Sequence, residues 1–420
     1  MSGLERIGGE LTLDGVGLAA VAARFGTPTY VYSRALIEGA FHEFDRGLAG
    51  IDHLVCYAVK ANSNIAVLEA LARLGAGFDI VSGGELARVL AAGGRADRVI
   101  FSGVGKSPAE IGAGLLAGIK CFNVESEPEL DRINAIAGEM HRVAPISLRI
   151  NPDVDARTHP YISTGLAGNK FGIPHERALE AYRHAASLPN LRVTGIDCHI
   201  GSQILDTAPL EQALERVMEL VSALMREGTV LEHVDFGGGF GIRYKPEDTP
   251  PDIAGYCRGL AGRLEGCGFQ VLLEPGRAIV GNAGVLLTRV EYLKLDKVKR
   301  FAVVDASMSE LLRPALYKAW HEMVVVRESS AASAVYDVVG PVCESSDILG
   351  TDRALSLEQD SLIAILSAGA YAMAMASNYN SRPRPCEVMI DAGNMVEVRL
   401  RESVESLFSL ERGLDGSPPG

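Results

Sequence analysis

The chain has 420 residues, of which 47% are hydrophobic and 22% charged, and its formal net charge is -13. That length exceeds what one hydrophobic core usually organises, so two domains are expected. The acidic balance argues against a nucleic-acid partner but says little about a small substrate, because a pocket's local field can oppose the net charge.

The N-terminus, MSGLERIGGELTLDGV, has neither the basic start nor the apolar core of a secretory signal. No window approaches the roughly 18 uninterrupted apolar residues of a membrane helix, so a cytoplasmic protein without a membrane partner is expected. The cysteines, Cys56, Cys121, Cys198, Cys257, Cys267, Cys343 and Cys386, are odd in number and lack CxxC spacing. This suits reduced thiols rather than a disulfide frame or a zinc site, and no metal is expected.

In chain order, the first 35 residues carry the strand-like pieces LTL and TYVYS. From about residue 50 to 280, eight apolar or β-branched runs follow: HLVCYAV, GFDIVS, RVIFSG, KCFNVE, PISLRIN, VTGIDCHI, LEHVDF and FQVLLE. Helix-type segments such as IAVLEALARLGA, GELARVLAAGG and APLEQALERVMELVSALMREG separate them. The last places Leu210, Ala213, Leu214, Val217, Leu220, Val221 and Leu224 on one face, with charges opposite. Apolar strands alternating with helices imply a parallel sheet covered on both sides, and eight units fit a closed (β/α)8 TIM-type barrel. An open doubly wound sheet is the alternative, but its G-x-G-x-x-G after the first strand is absent. Beyond residue 280, GVLLTRVEYLKL, RFAVVDA, AVYDVVG, SLIAIL, CEVMIDA and MVEVRL read as strands with few long helices. The expected organisation is a barrel over 36–280, with 1–35 and 281–420 forming an all-β sandwich or barrel. The tail DGSPPG is expected to fray.

Reactive groups of such barrels gather at the C-terminal strand ends. Strand one runs into Lys60 in YAVKANSN, where a lysine is costly to bury unless paired or used. A surface lysine is an equal reading of that position alone, and Asp79, inside strand two, is equally ambiguous. Strand six ends in CHIGSQ, with His199 and Ser202; a lone histidine there is more often a satisfied core residue. Strand seven ends in DFGGGFG, where Gly237, Gly238 and Gly239 let backbone N–H groups converge on an anion, or form a flexible turn. Strand eight ends in EPGR, with Glu274, Pro275, Gly276 and Arg277, and the last two loops are where this fold most often binds phosphate. A strand-end lysine, a carboxylate, a histidine and a phosphate cradle are the parts that pyridoxal phosphate (PLP) requires.

YAVKAN, FDIVSGGEL, HIGSQ, GGGFGIRY, EPGR and VCESSD, in this order, closely resemble the fold-type III PLP-dependent decarboxylases across nearly the whole chain. Within that family, NPDVDARTHPYISTGLAGNKFGI and LLRPALYKAWH resemble the branch acting on meso-diaminopimelate. The resemblance implies that Lys60 attaches the cofactor, His199 stacks on its ring and Glu274 pairs with the pyridine nitrogen. It places Ser202, Gly238, Gly239, Pro275, Gly276, Arg277 and Tyr371 around the cofactor and its phosphate, and Asp79 near Lys60. Cys343, in GPVCESSD, is implied as the donor that returns a proton to Cα; otherwise it is a small buried residue like the other six cysteines. The family's dimers carry this loop into the neighbouring subunit's site, so a homodimer with shared active sites is implied.

For the substrate's far end, an ammonium needs an acid and a second carboxylate needs a cation. Arg313 and Tyr317 in RPALY lie four apart on one helical face, and an arginine matches a carboxylate better than a lysine does. An exposed arginine at a turn is the plainer reading of Arg313. By resemblance, Arg277, Arg313, Tyr317, Glu344 and Tyr371 line the substrate pocket, and the expected reaction converts diaminopimelate to L-lysine and CO2. Ser307 and Ser309 stand where the family more often has Gly and Asn, with little expected effect. The alternatives are a relative acting on ornithine, arginine, a carboxylated polyamine or a carrier-bound amino acid, and a non-catalytic PLP-binding protein. Cys343 and the β-domain count against the last.

Overall fold

The computed structural model describes residues 3–156, 165, 169–296 and 298–417. Most of the segment ARTHPYISTGLAG, and the last three residues of the tail, lie outside them. The chain divides into two compact units, Glu38–Ile242 with Asp248–Ile279, and Met1–Ile37 with Arg243–Glu247 and Val280–Gly420.

In the first unit, eight strands are hydrogen-bonded side by side in parallel: β1 (His53–Ala58), β2 (Gly77–Ile80), β3 (Val99–Phe101), β4 (Cys121–Val124), β5 (Ala144–Asn151), β6 (Leu191–Asp197), β7 (His233–Asp235) and β8 (Gln270–Leu273). The ring closes through Val271–Leu273 of β8 against His53–Val55 of β1, giving the expected barrel. Leu54, Cys56, Ile100, Cys121 and Leu272 form a buried cluster contributed by four of the strands. All are apolar or thiol side chains, so filling the interior with them costs no unsatisfied polar group.

Local chemistry turns the chain at the first three strand exits. After β1, Tyr57 Oη donates to Asn62 O across 2.9 Å, and the Asn62 side chain accepts from Asn64 N at 3.0 Å. Asn64 then caps the helix Ile65–Arg73 by accepting from Ala66 N at 2.9 Å. Lys60 therefore sits in a single 3-10 turn, Val59–Ala61, held at both ends. After β2, Ser82 caps the helix Gly83–Ala91, and after β3 a reciprocal Ser107–Glu110 box opens Pro108–Ala117.

The second unit is a nine-stranded mixed sheet around the long strand Gly284–Leu295. TYVYS forms the strand Thr29–Ser33, antiparallel to Gly284–Leu287 and parallel to Cys386–Ile390. One face is covered by the helix Leu18–Phe25, whose Leu18, Val21 and Ala22 are buried with Val31, Val285, Leu287, Val388 and Ile390. Each large aliphatic side chain so buried contributes ~1.5–3 kcal/mol relative to exposure. The strand Ile348–Leu355 escapes sequence reading because its alternation breaks at Thr351 and Asp352, the latter in the left-handed region at φ 56°.

Candidate active site

The C-terminal ends of the barrel strands collect the polar groups. Lys60 Nζ is paired with the carboxylate of Asp79, which is fully buried in β2 while the lysine side chain remains 34% exposed. Burying an acid at that depth is tolerated because the ammonium compensates it. The second Asp79 oxygen, Oδ1, is buried with no hydrogen-bond partner among the described residues.

His199 lies 3.9 Å (Nδ1 to Oε2) from Glu274 and accepts the Gly238 N–H at Nδ1 across 3.2 Å. A backbone N–H only donates, so the ring's own proton must sit on Nε2. Burial, then the cations Arg149 and Lys60, push the imidazole well below its usual range, so it is neutral. Gly238 also explains the glycine run: a Cβ there would lie 2.0 Å from Glu274 O, and no side chain fits. Gly239 sits at φ 94°, open to glycine and rarely to other residues. In the neighbouring loop Arg277, buried, donates from Nη2 to Ser202 Oγ across 2.9 Å. Gly276 packs so closely that a Cβ would stand 3.0 Å from Ala58.

Glu274 is buried at the end of β8, and Asn123 Nδ2 donates to its Oε1 at 3.4 Å. Burial first, then Asp235, Asp79 and Asp197, raise its carboxyl well above the usual range, against the lowering effect of Lys60. Asp197 (β6), Asp235 (β7) and Glu274 each place a carboxylate oxygen within 4.8 Å of the others. Arg149 of β5 donates to Glu125 Oε1 at 2.9 Å and to His199 O at 3.4 Å, with Nε 4.0 Å from Asp197. These buried polar residues were missed because the sequence reading looked past strand ends. The signal was nonetheless present: Arg149, Asp197 and Asp235 interrupt apolar strands just as Asp79 does.

This donor set fits pyridoxal phosphate. It offers a partly exposed amine beside a buried carboxylate, a buried acid just past the end of β8, and a glycine-and-arginine cradle that side chains would fill.

The second unit carries the remaining candidates. Arg313 opens the short helix Arg313–Tyr317 and is buried, not the exposed arginine of the plainer reading. Its guanidinium stacks 4.3 Å from the Tyr244 ring centroid, and Nη1 donates to His321 Nε2 at 2.9 Å. His321 Nδ1, 2.8 Å from Leu366 O, supplies the complementary donor. Tyr317 is half-buried on the same helix, and Tyr371 holds a left-handed backbone at φ 54°, a conformation that costs energy in a non-glycine residue. Cys343 is exposed, unlike the five buried cysteines and the half-buried Cys267. Its N–H donates to Asn380 Oδ1 at 3.3 Å, and the adjacent Glu344 accepts from Tyr379 Oη at 2.6 Å. Ser307 and Ser309 are buried; Ser307 N and Oγ both donate to Glu310 Oε2 at 2.7 Å, which gives the departure a turn-forming role.

Residues 34–281 match the family described as pyridoxal-dependent decarboxylase, pyridoxal binding domain. A closed parallel barrel carrying this lysine, acid and cradle defines a PLP-dependent decarboxylase of fold-type III. The chain is 55% identical over 404 residues to the diaminopimelate decarboxylase of Vibrio cholerae, covering 96% of this chain and 97% of that one. It is 56% identical over 405 residues to that of Pseudomonas fluorescens, with coverage of 96% and 97%. The crystal structure of the Helicobacter pylori diaminopimelate decarboxylase complexed with L-lysine superposes with a TM-score of 0.90 at 42% identity, over 94% of this chain and 99% of that one. The chain belongs to the diaminopimelate decarboxylase family. Among the described residues, no helix is long and apolar enough to cross a membrane.

Proposed function

We infer that this protein decarboxylates meso-2,6-diaminopimelate to L-lysine and CO2 with pyridoxal phosphate as cofactor. The observation that carries the inference is the Lys60–Asp79 pair at the end of β1, within a barrel whose adjoining strand β8 is followed by Glu274 and Arg277. The H. pylori relative, described with L-lysine, supports lysine as the product.

Bound pyridoxal phosphate supplies the electron sink that makes loss of the α-carboxylate feasible. Lys60 would attach it, and Asp79 would hold that amine in place. Glu274 would keep a proton on the ring nitrogen, and His199, neutral, would pack on the ring. Ser202, Gly238, Gly239, Pro275, Gly276, Arg277 and Tyr371 would hold the cofactor and its phosphate. Arg277, Arg313, Tyr317 and Tyr371 would read the substrate's second carboxylate, with Glu344 reading its ammonium. Cys343 would return the proton to Cα, and its exposure supports that role over a packing one.

In this reading the barrel of residues 36–280 holds the cofactor. The segments 1–35 and 281–420 form the second, all-β domain, and the active protein is a cytoplasmic homodimer with shared active sites. Measured CO2 release from diaminopimelate, lysine, ornithine and arginine tests the substrate; turnover of diaminopimelate alone is expected, and preference for any other amino acid would refute it.

A further inference from the structure

Asp235 and Asp197 have no part in the reaction as described, yet both are buried beside Glu274. Their oxygens and that of Glu274 lie within 4.8 Å of one another. Donors are too few for three carboxylates. Gly237 N–H donates to Asp235 Oδ1 at 2.9 Å, and Asn123 Nδ2 reaches Glu274 Oε1 at 3.4 Å. Asp235 Oδ2 and Asp197 Oδ1 are buried with no partner among the described residues. Of the nearby cations, Lys60 pairs with Asp79 and Arg149 with Glu125, Asp197 lying 4.0 Å from it, and among the described residues no ion pair reaches Asp235. Around the group stand further titratable side chains, Asp79, Cys56, Cys121 and Cys198, and the neutral His199. None of these relieves it, because adjacent buried carboxylates cannot all ionise.

We propose that Asp235 carries a proton that it donates to Glu274, making Asp235 a positioning residue that leaves Glu274 the negative charge a protonated ring nitrogen requires. One proton, held between two oxygens, satisfies the otherwise unpartnered Oδ2. Burial and the neighbouring carboxylates raise Asp235 and Glu274 alike well above the carboxylate range, and burial raises Asp197 to about 7 despite Arg149, so the group holds a proton. The hydrogen bond between Asp235 and Glu274 acts against burial at Asp235, and it is the protonated ring nitrogen that would draw the negative charge to Glu274. The ring-nitrogen role of Glu274 is part of the functional reading above, but the shared proton is testable without cofactor.

Infrared spectra of the full-length, cofactor-free chain at about pH 9, above the titration of Asp197 at about 7, test it. A protonated-carboxyl stretch is expected in wild type and lost in both Asp235→Asn, whose amide replaces the donor, and Glu274→Gln. A second readout is the unfolding temperature. A carboxyl raised in the folded state penalises folding increasingly as pH climbs from its unfolded pKa of about 4. Asp235→Asn should therefore gain on wild type between about pH 5 and about pH 8, whereas a purely structural loss would be equal at both. Absence of the stretch in wild type, its survival in both variants, or its appearance only after EDTA treatment would overturn the proposal, the last because a cation would then hold the group. If Glu274→Gln instead retains full cofactor binding and turnover, only the ring-nitrogen reading fails.

Discussion

Gly238 N–H donates to His199 Nδ1 across 3.2 Å, so a single backbone group decides which nitrogen of that imidazole carries the proton. The Nε2–H tautomer follows, and burial keeps it from charging. In 15N spectra His199 should show an unprotonated Nδ1 and no titration as pH falls from neutral through the ordinary histidine range. A ring that titrates near the model-peptide value of about 6.5 would show that it is solvated and not held by Gly238.

Lys60→Ala should abolish the visible absorption of the lysine-linked cofactor, because Lys60 is the amine paired to Asp79 at the barrel mouth. Asp79 would then be left as an uncompensated buried charge, so reduced stability of the variant is expected as well. An unchanged spectrum would assign the attachment to another lysine.

Arg313→Lys keeps the charge but loses both the planar stack on Tyr244 and the directed bond to His321. A bidentate contact to a carboxylate should weaken by ~1–3 kcal/mol, so kcat/KM for diaminopimelate should fall roughly tenfold to a hundredfold with PLP affinity unchanged. Near-wild-type kinetics would place Arg313 outside substrate recognition.

His233 faces the barrel interior with its Nε2 3.6 Å from Cys121 Sγ, and burial pushes its pKa down to about 3. The unfolded chain takes up a proton near pH 6.5 while the folded chain does not. Stability is therefore present above that value and lost as pH falls toward 3, by up to roughly 5 kcal/mol at the limit. Denaturant midpoints across this range should fall less steeply in His233→Gln, though the variant starts lower at neutral pH. Parallel curves would mean that His233 does not contribute to acid sensitivity.

If Cys343 serves the neighbouring subunit's site, inactive Lys60→Ala mixed with inactive Cys343→Ala should regain activity. Random exchange makes about half the dimers mixed, each with one doubly defective and one intact site, so recovery is roughly a quarter of wild type per site. Exchange of tagged and untagged chains is verified first; exchange without recovery would mean that both residues act from one chain, or that Cys343 is structural.

The barrel was legible in the sequence because its information is local. Each apolar strand, its capped helix and the exit turn, such as Lys60–Asn62–Asn64, are encoded within a few residues, and strand-end positions follow from the count. The glycines and Arg277 proposed to hold the cofactor's phosphate could be picked out for the same reason, since they fall just past strand ends. Only the tertiary structure decided the rest. Thr29–Ser33 pairs with Gly284–Leu287 and Cys386–Ile390, partners more than 200 residues away in the chain, so although residues 1–35 were expected in the second domain, the strand's neighbours and their directions had no local signature. Whether an acid inside a strand is compensated depends likewise on what the other strands bring to it. Asp79 meets Lys60, while Asp235 meets two further carboxylates, and no spacing in the sequence distinguishes them. Burial and hydrogen-bond partnership are properties of the assembled fold, and they separate the exposed Cys343 from five buried thiols of the same chemistry.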